Sequence, residues 1–283
     1  MREGLGEGSI LTCMSPNPSN LRLRLLSALI LIPPALAVVY VGGWAFAALV
    51  AVFAGIALYE WLRLVDPAVP HGVVVFVVTA FALTMAGGAW QSPGFGLELG
   101  AVFTAVLFIV ARLHRAKSPL WIAFGLPYLA GGGLAMLYLR GVPAAGLALS
   151  LYLLAVVWGT DSGAFVAGRL IGGPKLAPRI SPKKTWAGLF GGMALAAALG
   201  YAVALGLGAR RPLVALGLAV ILAGVAQAGD LFKSVFKRRA GVKESGTLIP
   251  GHGGALDRID GLVLAAMVLS LIEAVMGDNL AWW

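Results

Sequence analysis

The sequence holds one cysteine in 283 residues, Cys13, so it can form neither an intrachain disulfide nor a cysteine metal cluster. Charge is scarce too: Asp, Glu, Lys and Arg make up 12% of the chain against 60% hydrophobic residues, and the mean hydropathy is +0.92. Soluble domains carry about 25% charged residues, so this composition reads as a multispan membrane protein. The residue alternation of a transmembrane barrel is absent, and helices are the remaining way to satisfy the backbone inside a bilayer. No internal repeat and no matched pair of interrupted spans is present, which argues against a secondary transporter. A channel or transporter also needs polar residues through the midplane of several spans, and the first five spans have almost none.

What the chain does have is a series of apolar runs of about 20 residues, the length that crosses a bilayer as a helix. Residues 1–20, rich in Gly, Ser, Pro and Asn, read as a flexible N-terminal tail. Arg22 and Arg24 then precede an apolar run from Leu25 to Val41 that imitates a signal peptide. Further spans follow at once, so this run is expected to be retained as a first helix, kinked at Pro33 and Pro34. Later spans are expected at 43–63, 71–89, 95–113, 120–139, 145–168, 187–208, 212–236 and 258–276. The fold class expected is therefore all-α, a polytopic membrane protein with about nine transmembrane helices and a cytoplasmic N-terminus. Residues 21–140 form its N-terminal transmembrane helices, and residues 141–283 its C-terminal transmembrane catalytic region.

With that orientation, 18 of the 21 Lys and Arg residues fall inside and only Arg140, Arg210 and Arg211 outside. The net charge of +9 then records membrane topology rather than nucleic-acid binding. Trp282 and Trp283 are expected as anchors at the far interface. Two polar stretches fall on one side, Asp161–Trp186 and Asp230–Asp260, and can belong to one site.

Asp161 follows the apolar run LAVVWGT about two turns from the end of its span, where a carboxylate is costly unless paired or bound to a cation. Pairing with Arg169 is the structural alternative. Gly163, Ala164, Ala167 and Gly168 read as a helix-packing face that holds Asp161 close to another helix. In Ser181-Pro-Lys-Lys-Thr-Trp186, Ser181 has the type of an N-cap and Pro182 that of a first helical residue. Lys183, Lys184 and Thr185 beside a positive helix end suit a triphosphate or a lipid phosphate, although flanking lysines also serve topology. Asp230, Ser234 and Lys237 share a helical face, and Asp257 and Asp260 share another at the start of the next apolar run. Acids beside Lys237, Arg238, Arg239 and Lys243 match a divalent metal that bridges phosphates. Buried ion pairs stitching two helices explain the same residues. His252 lies in the loop GHGG, whose glycines permit a close ligand approach or simply a tight turn.

These motifs resemble the membrane-bound phosphatidate cytidylyltransferases, or CDP-diacylglycerol synthases. The family's C-terminal signature falls here on Ser234, Lys237, Arg238, Lys243, Gly246, Ile249, Pro250, His252, Gly253, Gly254, Asp257, Arg258 and Asp260. A second block is similar to Asp161–Arg169 and Lys175–Trp186. Departures are Glu244 for Asp, Ala187 and Lys233 where acids are frequent, and Ala255 for a larger apolar residue.

The resemblance implies transfer of a cytidylyl group from CTP to phosphatidate, giving CDP-diacylglycerol and pyrophosphate, with Mg2+ as cofactor. It places Asp230 and Asp257 on the metal, with Asp161 and Asp260 as further candidates. Lys183, Lys184, Lys237 and Arg238 would hold phosphates, His252 joins the catalytic set, and Ser181, Thr185, Ser234, Lys243 and Arg258 contact substrate. The expected partners are CTP and phosphatidate in the membrane, with no nucleic acid and a homodimer left open. The expected location is the cell (inner) membrane, with the site on the cytoplasmic side. A CTP-dependent enzyme acting on an ether-lipid phosphate or a polyprenol is the alternative, and a membrane transporter the alternative from another class.

Overall fold

The computed structural model describes residues 32–242, 245–246, 254–280 and 282–283. The first apolar run is seen as α1 (Ile32–Val41), and eight longer helices follow it among the described residues: α2 (Gly43–Val65), α3 (His71–Trp90), α4 (Pro93–Leu113), α5 (Pro119–Gly141), α6 (Gly146–Leu170), α7 (Trp186–Gly206), α8 (Pro212–Arg239) and α9 (Leu256–Leu280). All eight are long and apolar enough to cross a membrane. They coincide with the eight later runs of the sequence, because apolar length alone sets where a span can lie. The chain is an all-α polytopic membrane protein. The N-terminal tail, Lys243 and His252 lie outside the described residues.

One element differs from expectation. Ser181 does not cap a helix: Ser181–Thr185 is a strand, β2, paired antiparallel with β1 (Lys175–Ala177). The cap is Thr185, whose side chain accepts a hydrogen bond of 3.0 Å from the Gly188 amide, and α7 starts at Trp186. The pairing of Lys175 with Thr185 holds the segment extended, so Pro182 belongs to a hairpin edge, where its missing N–H is tolerated.

Helix α5 runs through the middle of the bundle. Its glycines let neighbours press in: Gly131 meets Met267 and Gly132 meets Val263, both on α9, while Gly133 meets Met85 on α3. Helices α6 and α7 are pressed together in the same way. A Cβ on Gly163 would lie 2.5 Å from the Gly191 carbonyl oxygen, and Gly191 in turn receives Ala167. Under the end of α8, Trp61 packs on Phe232 and Phe236, with the Trp61 and Phe236 ring centroids 4.7 Å apart. The Trp61 indole donates to the Trp121 carbonyl at 2.8 Å. This aromatic cluster ties α8 to α2 and α5 just below the polar end of the bundle.

Trp282 also departs from expectation. Instead of sitting at a lipid interface it is buried, donates to Glu273 at 3.0 Å and meets Tyr152 edge-on. Its carbonyl accepts from the Arg211 amide, and Arg140 donates to the Val39 and Tyr40 carbonyls. Arg140 and Arg211 thus mark one end of the bundle, and the hairpin and the α8–α9 junction mark the other.

Candidate active site

Asp230 on α8 and Asp257 and Asp260 at the start of α9 come together because α8 and α9 touch backbone to backbone. Gly229 makes this possible: a Cβ there would lie 2.7 Å from the Asp260 carbonyl oxygen. The ammonium of Lys233 sits between the three acids. It is 2.8 Å from Asp257 Oδ1 and 3.8 Å from Asp230 Oδ1, and it pairs with Asp260 Oδ2. Lys237 adds a second contact to Asp257 Oδ1 at 2.9 Å. The other oxygen of Asp257 accepts from the Ser245 and Gly254 amides at 3.0 and 3.4 Å. Asp260 Oδ1 accepts from the Gly261 amide at 2.8 Å.

The hairpin and α6 contribute the opposite wall. Lys184 reaches from β2 to Asp230 Oδ2 at 2.8 Å and donates to Gln227 Oε1 at 2.7 Å. Asp161, Lys183, Lys184, Thr185, Gln227 and Asp230 line one open cavity of about 200 Å3. Asp161 forms no ion pair with Arg169 or with any other described residue. Arg238 donates to the Ile180 carbonyl at 3.1 Å and so pins the hairpin tip to the end of α8. Ser181 is half-buried in β2, and Ser234 is buried beside Lys233. Arg258, exposed, lines the end of a second, apolar cavity of about 220 Å3 walled by α1, α2, α5, α6 and α9.

A model of the cytidylyltransferase family matches residues 22–276. The chain belongs to the cytidylyltransferase family. Among curated relatives, the phosphatidate cytidylyltransferase of Brucella suis is 39% identical over 266 residues, 92% of this chain and 96% of the relative. That of Pseudomonas aeruginosa is 34% identical over 262 residues, 89% of this chain and 96% of the relative. That of Staphylococcus saprophyticus is 31% identical over 259 residues, 89% of this chain and 98% of the relative.

In this cytidylyltransferase-family chain the four candidate metal carboxylates divide into two pairs. Asp257 and Asp260 are held by lysine and backbone donors, the arrangement of ion pairs stitching two helices. Asp161 and Asp230 line the cavity, Asp230 ion-paired there with Lys184, and the point on which Asp230, Asp257 and Asp260 converge is filled by the Lys233 ammonium, so no group of three acids is open to a metal among the described residues. One or two carboxylates with substrate phosphates and water completing the shell is how magnesium is commonly bound, so the Asp161–Asp230 wall fits that ion.

Sequence reasoning set aside Lys233 and did not single out Glu60. Glu60 is buried on α2, far away in sequence, yet it accepts from the Ala255 and Leu256 amides at 3.0 and 2.9 Å and from the Ser245 hydroxyl at 3.2 Å. It caps α9 in trans and ties Ser245 to the start of the helix that carries Asp257. An acid in a largely apolar span is the only signal the sequence offers for it. Tyr128 on α5 is a further surprise: its hydroxyl is buried without a hydrogen-bond partner among the described residues and lies within electrostatic reach of Asp260 and Asp230.

Proposed function

We propose that the chain transfers the cytidylyl group of CTP to phosphatidate at the cytoplasmic face of the cell (inner) membrane, with Mg2+. A phosphatidate oxygen attacks the α-phosphorus of CTP. The new P–O bond forms as the bond from the α-phosphorus to the bridging oxygen breaks, and pyrophosphate leaves with that electron pair. The attacking phosphate is already ionised near pH 7, so the site needs no strong general base and acts by positioning and charge neutralisation. Bound at Asp161 and Asp230, Mg2+ would neutralise phosphate charge and polarise the P–O bonds. Lys183 and Lys184 carry the phosphate contacts on the hairpin side, and Lys184 also orients Asp230.

The observation that carries the reading is a pair of unlike cavities, each with a charged residue in its lining that lies within electrostatic reach of the other's, Asp161 and Arg258. The polar one is lined by Asp161, Asp230, Lys183 and Lys184. The apolar one has Arg258 as the charged residue in its lining. A substrate with a phosphate head and apolar tails suits that pairing. Purified protein in detergent should release pyrophosphate with CTP plus phosphatidate and not with either alone. Silence with phosphatidate but release with a polyprenol or an ether-lipid phosphate would reassign the acceptor, and silence with every lipid would refute the transfer.

A further inference from the structure

We infer that Glu60, the buried acid of α2, is a positioning residue for the transfer: it fastens Ser245 to the first turn of α9 and so sets where Asp257 stands at the α8–α9 junction. The start of α9 does not cap itself with its leading side chain. Leu256 opens the helix, and Ala255 before it has no polar group to take up the free amides of the first turn. Ala255 and Leu256 are 1% and 0% exposed, so water does not reach those amides either. Glu60 takes them up from another helix. Its Oε1 accepts from Ala255, and its Oε2 accepts from Leu256 and from the Ser245 hydroxyl.

The same two pieces of backbone hold Asp257. Its Oδ2 accepts from the Ser245 and Gly254 amides, while its Oδ1 meets Lys233 and Lys237. Glu60 and Asp257 thus share Ser245 and the turn that leads into α9, and a shift of one carries to the other. Two glycines follow from that arrangement. A Cβ on Gly246 would run into Oε1 of Glu60, and one on Gly254 into Oε2. Neither glycine has a left-handed backbone, so what each supplies is room beside the carboxylate. Trp61, the next residue of α2, packs on Phe232 and Phe236, so neighbouring residues of one helix hold α8 and α9 together. Glu60 stands outside the polar cavity and acts through Asp257. A displacement of about 1 Å at a reacting centre can cost roughly 100-fold in rate, which is the scale on which such a support matters.

The inference rests on the transfer proposed above, so the unaltered full-length protein in detergent is measured first, by pyrophosphate release from CTP plus phosphatidate. Thermal unfolding is recorded beside each rate, so that kcat is scored on folded protein. Glu60→Gln keeps the size of the side chain but turns an NH2 group toward donors, and should lower kcat about 10-fold or more while KM for each substrate moves by less than about threefold. Ser245→Ala removes one bond to Glu60 and leaves the backbone amide on Asp257, so it should give the same pattern at smaller size. Gly246→Ala should lower kcat on its own and lower it little further in Glu60→Ala, where the added methyl no longer meets a carboxylate. Normal kcat in folded Glu60→Gln, or fully additive losses in Gly246→Ala with Glu60→Ala, would overturn the inference. If the Glu60 variants do not fold, normal kcat in both Ser245→Ala and Gly246→Ala overturns it. No release by the unaltered protein would instead refute the transfer, and the inference with it.

Discussion

At the scale of single residues, the lysines of the hairpin separate chemistry from topology. Lys184 is held 2.8 Å from Asp230 at the cavity wall, and Lys183 lines the same cavity. Lys117 is an equally basic loop residue elsewhere. A hydrogen bond to a charged group is worth about 1.5–3 kcal/mol, so Lys184→Ala should lower kcat/KM by roughly 10- to 100-fold, with a smaller loss for Lys183→Ala. Lys117→Ala should leave turnover unchanged. Steady-state kinetics on the three variants, at near-normal rates throughout, would reduce the SPKKTW stretch to a span boundary.

The acids separate in a second way. Removing one partner of a buried ion pair costs about 3–5 kcal/mol because the other charge is stranded. Asp257→Asn strands Lys237 and takes from Lys233 one of its three carboxylates, so it should lower the melting temperature as well as activity. Asp230, more exposed, keeps its fold as Asn and loses transfer alone. Thermal unfolding beside activity distinguishes them, and equal stability of the two variants would break the division into a cavity pair and a junction pair. The sequence made these acids legible because carboxylates are conspicuous in a chain so poor in charge. Lys233 was not legible in its role. As a basic residue where the family pattern favours an acid, it could be read only as a departure until the fold put its ammonium among three carboxylates.

At the scale of elements, the site depends on how closely α8 and α9 approach and on what holds the segment between them. Gly229 sets the approach, since any side chain there meets the Asp260 carbonyl at 2.7 Å. Gly229→Val should push the helices apart, loosen the Lys233 pairs and abolish transfer with a lower melting temperature, and Gly229→Ala should do so more mildly. Overpacking of this kind costs about 1–3 kcal/mol. A Gly229→Val protein with normal melting and turnover would show the contact to be slack. Helix positions were readable because apolar length is a local signal. The β1–β2 hairpin was not. Ser-Pro before two lysines has the local chemistry of a helix start, and only the pairing of Lys175 with Thr185 decides for a strand. Glu60 lay beyond reach for the same reason: its partners, Ser245, Ala255 and Leu256, are about 190 positions away, a separation no local pattern spans.

At the scale of the whole molecule, the two ends of the bundle differ in charge. Arg140 is bound to the carbonyls that end α1, and the Arg211 amide to Trp282, at the end away from the site. Lys184, Lys233, Lys237 and Arg238 gather at the site end with the hairpin. Loops rich in Lys and Arg stay in the cytoplasm, so the site end should be cytoplasmic, where CTP is made, and the end with Arg140, Arg210 and Arg211 should face out. The lone Cys13 makes the measurement clean: in a Cys13→Ser background, single cysteines at Lys117, Lys175 and Arg210 each report one loop. A membrane-impermeant maleimide should label Arg210→Cys in intact cells and the other two only after permeabilisation. The reverse pattern would invert the topology and put the cavity on the side without CTP. A split between Lys117→Cys and Lys175→Cys would contradict the bundle itself, since an even number of spans, α5 and α6, separates those loops.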